Sequence, residues 1–329
     1  MRALLKLGAI LMLFIAVPYL WYNYYLLTPA DPDSEQRIII DIPAGEKARS
    51  IATTLKEKEI ILSELVFYWY IRSEELGPQI KEGQFLLTPN LTIPEIAEVI
   101  TNPSQSESVI TIPEGLRIRD IDKILTKKEL INEGDFIKCT KECDFTNYSF
   151  LKSAPSLEGY LYPDTYFVNT FAFKSEDLIR KMLNNFKNKI EGFTEEIAAS
   201  EYSLAEIIIM ASIIEGEVRG IEDRHLVSGL LWKRHENSWG LGTDITLLYE
   251  SEDRTLNAKD LQKDSPYNTR KYRGLPPTAV TNPSISSIDA AINPKSSNYW
   301  FYLTTLDTGE VIYSHSNEEH NDNKRKYLY

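Results

Sequence analysis

Ser203-Leu-Ala-Glu-Ile-Ile-Ile-Met-Ala-Ser-Ile-Ile-Glu-Gly-Glu-Val-Arg-Gly220 is the stretch around which the rest of the sequence is arranged. Ser203 and Glu206 have capping-box spacing: the hydroxyl takes the N–H of Glu206, and the carboxylate reaches back to the N–H of Ser203. From Ile207 to Ile214 nearly every side is apolar, the pattern of a helix buried all round rather than an amphipathic surface helix. Gly220 stands where a stop is predicted. At the exit of this apolar rod sit Glu215 and Glu217. Buried carboxylates are costly unless paired. Burial and the negative end of a helix dipole both favour the protonated form of a carboxyl group, which a general acid requires at neutral pH. The competing reading puts both glutamates in solvent, with Arg219 pairing to Glu215 from i+4. Periodicity does not choose between the glutamates: Ile208, Ala211 and Val218 share a face with Glu215, and Met210, Ile213 and Ile214 share one with Glu217.

At 329 residues the chain has room for two modest domains. A net charge of -12 argues against nucleic-acid binding, which needs a basic face. Cys139 and Cys143 are the only cysteines. With no second pair and scattered histidines they do not spell a zinc site; a local disulfide and two free thiols both remain open.

Residues 7–27 form a mostly apolar run, preceded by Arg2 and Lys6 and followed by Asp31, Asp33 and Glu35. Its length suits a bilayer, the cluster Tyr19–Tyr25 reads as an interfacial aromatic belt, and the charge asymmetry places the N-terminus in the cytoplasm. Bulky aromatics stand where a signal peptide would carry small residues, so an uncleaved anchor is predicted. Residues 1–6 are then a cytoplasmic tail and 28–36 a linker.

An internal repeat follows. Ile38-Ile-Ile-Asp-Ile-Pro-Ala-Gly45 returns seventy residues later as Ser108-Val-Ile-Thr-Ile-Pro-Glu-Gly115, and Arg49, Ile51, Leu55, Lys58 and Ile61 align without a gap with Arg119, Ile121, Leu125, Lys128 and Ile131. Each copy reads as a short strand, a Pro-X-Gly turn and an amphipathic helix. Asn102–Ser108 is the natural linker between copies. The region 37–150 is either plain packing or a small glycan-binding module, because its βα-plus-strand pattern resembles LysM-type modules.

Further on, Asp164 in Tyr160-Leu-Tyr-Pro-Asp-Thr suits either a turn or a sugar hydroxyl beside Tyr160 and Tyr162. Thr243 and Asp244 are candidate caps of a short helix. The stretches 265–269 and 274–283 are loops dense in turn residues, of the kind that presents groups to a ligand. Tyr299–Thr304 and Glu310–Ser314 flank Asp307-Thr308-Gly309 as a hairpin. Ser316 and Glu319 form another capping box, opening a helix that carries His320. The fold class is α+β, without the regular alternation of a doubly wound sheet.

Glu158-Gly-Tyr-Leu-Tyr-Pro-Asp-Thr, Ala211-Ser-Ile-Ile-Glu-Gly-Glu, Thr243-Asp244, Pro266-Tyr-Asn-Thr, Gly274-Leu-Pro-Pro, Asn282-Pro283-Ser and Glu319-His320-Asn321 occur in this order. Together they resemble the YceG/MltG family of membrane-anchored endolytic murein transglycosylases. The resemblance implies a catalytic domain over 151–329 and makes Glu215 the catalytic acid, with Glu217 a supporting or solvent residue. Where the family usually reads Gln-X-Asp-Pro-Thr-Val, this chain has Gly242-Thr-Asp-Ile-Thr-Leu, which weakens Thr243 and Asp244 as binding residues. Tyr267, Asn268, Thr269, Gly274, Pro276 and Pro277 are implied to line a glycan groove. Glu158, Tyr162 and Asp164 are implied to position sugars or brace the acid, and His320 to hydrogen-bond. The implied partners are peptidoglycan strands, the membrane and peptidoglycan synthases; no metal or organic cofactor is implied. The catalytic part is expected outside the cell membrane. A hydrolase would need a second carboxylate, with Asp164, Glu158 and Asp244 as candidates. A non-catalytic glycan-binding anchor is the other rival.

Overall fold

The computed structural model describes residues 2–102, 107–170, 173–252, 255–257, 259–305 and 308–328, and only the backbone path of 2–11 and 107–108. The predicted linker after Asn102 and the tip of the predicted hairpin at Asp307 fall partly outside the described residues. The chain divides into two compact units, Met1–Ile110 with Phe167–Phe173, and Thr111–Tyr166 with Lys174–Tyr329.

The first unit runs α1 (Arg2–Leu27), β1 (Ile38–Ile42), α2 (Ala48–Glu57), α3 (Glu64–Ser73), β2 (Gly83–Leu87) and α4 (Ile93–Thr101). Strands β1 and β2 are antiparallel, with Ile38 opposite Leu87 and Ile40 opposite Phe85. Alternation sends Ile40, Ile42, Phe85 and Leu87 into a core completed by Ile51, Leu55, Phe67, Ile71 and Ile96. Of the Tyr19–Tyr25 cluster, Tyr22 and Tyr25 are partly buried against this core, while Tyr19, Trp21 and Tyr24 are exposed, as are Met12, Phe14 and Leu20. Among the described residues no helix is long and apolar enough to cross a membrane; the described side chains of α1 begin at Met12.

The repeat recurs in three dimensions. β3 (Glu107–Thr111), α5 (Ile118–Lys127), α6 (Asp135–Glu142) and β4 (Thr165–Asn169) repeat the strand–helix–helix–strand order, and β3 pairs with β4. Gly45 and Gly115 occupy the same left-handed conformation, φ 74° and 73°, as do Glu59 and Glu129, both at φ 57°. The copies also diverge. Lys47, the exposed N-cap of α2, corresponds to buried Arg117 at the N-cap of α5. Arg117 is tied to Asp120 and donates to the carbonyls of Leu248 and Ser251 at 2.9 and 2.7 Å. Cys139 in α6 is bonded to Cys143, the residue that caps the end of that helix.

The second unit continues with α7 (Ser175–Glu191), α8 (Thr194–Ala199), α9 (Leu204–Glu217), α10 (Ile221–Glu236), α11 (Asp244–Leu248), α12 (Ile285–Ile292), the antiparallel pair β5 (Phe301–Thr304) and β6 (Val311–Ser314), and α13 (Asn317–Tyr327). Helix α9 is its axle. Both bonds of the Ser203–Glu206 box form, and every residue from Ile207 to Ile214 is buried, with α10, α11 and α12 packed around it. At about 1.5–3 kcal/mol per fully buried aliphatic side chain, its isoleucines alone contribute on the order of 10 kcal/mol of gross burial. The helix ends earlier than predicted: Val218 is already extended, at φ -137°. Gly220 caps the start of α10 instead of stopping α9. A Cβ there would lie 2.9 Å from the Asp223 carboxylate, which is why glycine fits.

Candidate active site

Ser212 is the one polar residue in the buried span of α9 and shows what docks there. Its hydroxyl donates to Ile209 O at 2.7 Å and accepts from Val280 N at 3.0 Å, while Thr281 Oγ1 donates to its carbonyl at 3.0 Å. The loop before α12 is thereby sewn to the middle of α9. It then presents Ser284 to the exit of the helix.

There the Glu215 side chain is 6 % exposed. Its Oε2 accepts from Ser284 N at 2.8 Å and from the Ser284 hydroxyl. Its Oε1 meets Arg224 Nη2 at 3.2 Å. The partner is thus Arg224 on the first turns of α10, not Arg219, which is exposed. Arg224 is held in turn: Nε donates to Val218 O at 3.2 Å, and Nη1 donates to the hydroxyls of Ser284 and Ser286. A carboxylate so enclosed, with a guanidinium and two further donors, satisfies the conditions for burying charge.

The turn Pro113-Glu114-Gly115 adjoins this cluster. A Cβ on Gly115 would lie 3.7 Å from Glu215 Cγ, and Gly115 N donates to Asn282 O at 2.9 Å. Asn282 is fully buried and fully bonded. Its Oδ1 accepts from the N–H groups of Gly159 and Leu161 at 2.9 and 3.0 Å, and its Nδ2 donates to Leu116 O at 3.0 Å and Glu158 Oε1 at 3.1 Å. One amide therefore joins three segments behind Glu215. Glu158 itself is 3 % exposed and accepts from Ile118 N at 3.0 Å. Burial pushes its carboxyl up to about 8, against the pull of the Ile118 N–H. It braces the turn from behind.

The two glutamates of α9 part company. Two residues apart on a helix means roughly 200° around the axis, and Glu217 faces a pocket of ≈ 630 Å³ that Glu215 does not line; Trp239, Arg270, Arg273, Tyr302 and His320 are among its walls. Glu217 accepts from Ile245 N at 3.2 Å and Tyr302 Oη at 2.9 Å, and burial pushes its carboxyl up. His320 is 9 % exposed and stacks on Phe301 at 5.1 Å. Burial, then Lys324 and Arg234, holds it down to about 4, so it is a neutral wall residue at neutral pH.

The remaining predicted site residues fall in several places. Tyr162 lies in the Glu215 neighbourhood: its phenol is pushed up first by burial and then by Glu114, with Glu215 a smaller contributor. Asp164 is exposed; it accepts from Thr165 N at 2.7 Å and Asn185 Nδ2 at 2.8 Å. Thr243 and Thr269 are buried and share a hydroxyl contact at 3.4 Å, and Asp244 pairs with Arg270 at 2.5 Å. Asn268 is fully buried and donates to Lys263 O at 2.8 Å. Tyr267 bonds Thr278 at 2.9 Å. Gly274 adopts φ 89°; Pro276 is buried and Pro277 exposed. Reading the sequence missed Arg224, Ser284, Ser286 and Glu114. For Glu114 a signal existed, since the repeat puts Ala44 at the matching place. Ser284 closes the quoted motif Asn282-Pro283-Ser, but nothing in the motif ties it to Glu215; Arg224 and Ser286 carried no signal, because their relation to Glu215 is purely spatial.

The sequence model of the YceG-like family matches residues 40–326. A Bacillus subtilis protein named endolytic murein transglycosylase is 32% identical, over 93% of this chain and 89% of its own length. A Streptococcus pneumoniae protein of the same name is 26% identical over 97% of this chain, which spans 64% of that longer relative. The crystal structure of a YceG-like protein of Listeria monocytogenes superposes with a TM-score of 0.61 at 30% identity, covering 88% of this chain and 99% of that one.

Proposed function

The chain belongs to the YceG-like family, and from that premise we propose that it is an endolytic murein transglycosylase with Glu215 as its acid and base. The observation that carries the reading is Glu215 itself, a carboxyl at the end of a buried helix with Arg224 and Ser284 arranged around both its oxygens. In its acid form Glu215 gives its proton to the glycosidic oxygen between MurNAc and GlcNAc, and the C1–O bond breaks. The MurNAc C6 hydroxyl oxygen then bonds to C1, its proton passes to Glu215, and a 1,6-anhydro ring closes. Arg224 and the Ser284 N–H hold the carboxylate between the two steps; such charge-assisted bonds are about twice as strong as neutral ones. Attack from within the same sugar has high effective molarity, so no activated water is needed. Cleavage inside nascent strands ends their elongation.

The location follows the same reading. Residues 7–27 anchor the chain in the cell membrane with residues 1–6 in the cytoplasm, and the remainder lies outside. The Cys139–Cys143 bond supports an oxidising compartment for the second unit. Residues 37–150, with their internal repeat, act as a LysM-like glycan-binding region, and peptidoglycan synthases are partners at the membrane.

The test is the full chain in detergent with purified murein sacculi, beside Glu215→Gln. New 1,6-anhydroMurNAc ends from the native chain alone are expected. Reducing ends would replace this reading with hydrolysis. Retention on sacculi without new ends would replace it with binding alone.

A further inference from the structure

The same strand–turn–helix unit occurs twice, and the two turns differ where it matters. Pro43-Ala44-Gly45 and Pro113-Glu114-Gly115 align without a gap, and their glycines share one left-handed conformation. Ala44 shows that the turn needs no carboxylate for its own folding. In the second copy the matching carboxylate belongs to the neighbour of Gly115, and a Cβ added to that glycine would lie 3.7 Å from Glu215 Cγ, so the turn runs alongside the Glu215 side chain. Glu114 is exposed and accepts no hydrogen bond from the described residues. It is therefore not a cap, a brace or a buried ion-pair member.

We infer that Glu114 is a second catalytic carboxylate, which faces the sugar ring beside Glu215 and stabilises the positive charge that develops at C1 as the glycosidic bond breaks. The inference rests on the murein reading of the Glu215 site. The charge balance supports it. Once Glu215 has given up its proton it matches the charge of Arg224, so Glu114 then supplies surplus negative charge, and an oxocarbenium-like centre is the species that attracts it. The titratable and charged groups that act electrostatically with Glu114 are Glu215, Arg224 and Tyr162. Although the residue as a whole is exposed, partial desolvation of its carboxyl, then the Glu215 charge, pushes that carboxyl up and Arg224 opposes them, as for two carboxyls in one site. Asn282 and Glu158 hold the turn from behind, so the carboxylate stands on a fixed backbone. No proton or bond passes through Glu114; Glu215 carries both proton transfers.

The experiment compares the full-length native chain with Glu114→Gln, Glu114→Asp and Glu215→Gln, acting on soluble uncross-linked glycan strands, with anhydro ends counted against time and pH. Glu114→Gln is expected to lower kcat by roughly 100-fold, with KM little changed and the acidic limb of the pH–rate profile moved. Glu114→Asp recovers part of the rate, and the melting temperature of Glu114→Gln stays native because the side chain is exposed. Native kcat and an unmoved profile in Glu114→Gln overturn the inference, as does a change in KM alone. If Glu215→Gln is inactive while Glu114→Gln is fully active, only this inference fails. If Glu215→Gln remains active, the murein reading fails and takes this inference with it.

Discussion

Replacing Glu158 by Gln is expected to make the stability of the fold insensitive to pH in a range where the native chain loses stability. Glu158 sits behind the 113–115 turn, 3 % exposed, its carboxyl raised from 4.5 to about 8 chiefly by burial. The folded chain therefore keeps a proton that the unfolded chain has released between those two values. Stability from this group is complete below pH 4.5, declines as pH rises through the window and is gone above about 8. At about 1.36 kcal/mol for each pH unit, the interval corresponds to roughly 5 kcal/mol, a large share of the ~5–15 kcal/mol that holds a domain together. Gln keeps an acceptor for the Ile118 N–H and the Asn282 amide and cannot ionise. Urea unfolding of both full-length chains in detergent, from pH 5 to pH 9, measures the difference. The variant is expected to match the native chain near pH 5 and exceed it by several kcal/mol near pH 9. Parallel curves across the range would mean that Glu158 is ionised in the folded chain, and the burial argument would be wrong.

Further substitutions and one treatment test neighbouring parts. Gly159→Ala places a methyl 2.6 Å from Ala279 Cβ and 2.7 Å from Ile208 Cγ2 at φ 91°, so a loss of about 3 kcal/mol is expected in denaturant titration. Arg224→Met leaves Glu215 enclosed without its counter-charge, which is expected to cost about 3–5 kcal/mol; Arg224→Lys rescues little, because a point charge cannot bond Glu215, Val218 and two serines together. Reducing Cys139–Cys143 opens a loop only four residues long, so melting with and without reductant is expected to differ by no more than about 2 kcal/mol of stability. His320 is held down to about 4, so the native fold loses stability as pH falls from 6.5 through 4. His320→Phe is expected to remove that dependence, on the order of 2 kcal/mol, in acid unfolding curves.

What the sequence disclosed was local or periodic. The Ser203–Glu206 box, the apolar run after it and the seventy-residue repeat are all short-range patterns, and each corresponds to an element. Where the reading slipped, geometry between elements decided. Gly220 looked like a stop signal, yet the backbone turned two residues sooner and used it to begin α10. Ser316 and Glu319 have box spacing, but the Glu319 carboxylate takes His315 N at 2.7 Å, one residue earlier than expected. Arg219 has helical spacing to Glu215 only if the helix continues, and it does not. The true partner follows the break and comes from another helix, a relation no periodicity encodes. The separation of Glu215 and Glu217 was legible in their spacing, whereas the pocket before Glu217 was not, because residues from several distant segments enclose it.

Asn282 has a consequence for the order in which the molecule is made. Its amide bonds Leu116, 166 residues earlier, and Glu158, 124 residues earlier, and two positions on Ser284 reaches back 69 residues to Glu215. Contacts so far apart form late, since the loops they close must be paid for before any of them contributes. A growing chain that has not yet reached residue 282 already contains the whole of α9, its glutamate and Arg224, but not Ser284, which bonds the other carboxyl oxygen, nor Asn282, which bonds Gly115 in the 113–115 turn. The arrangement around Glu215 is thus complete only once the chain has passed residue 284, late in its synthesis.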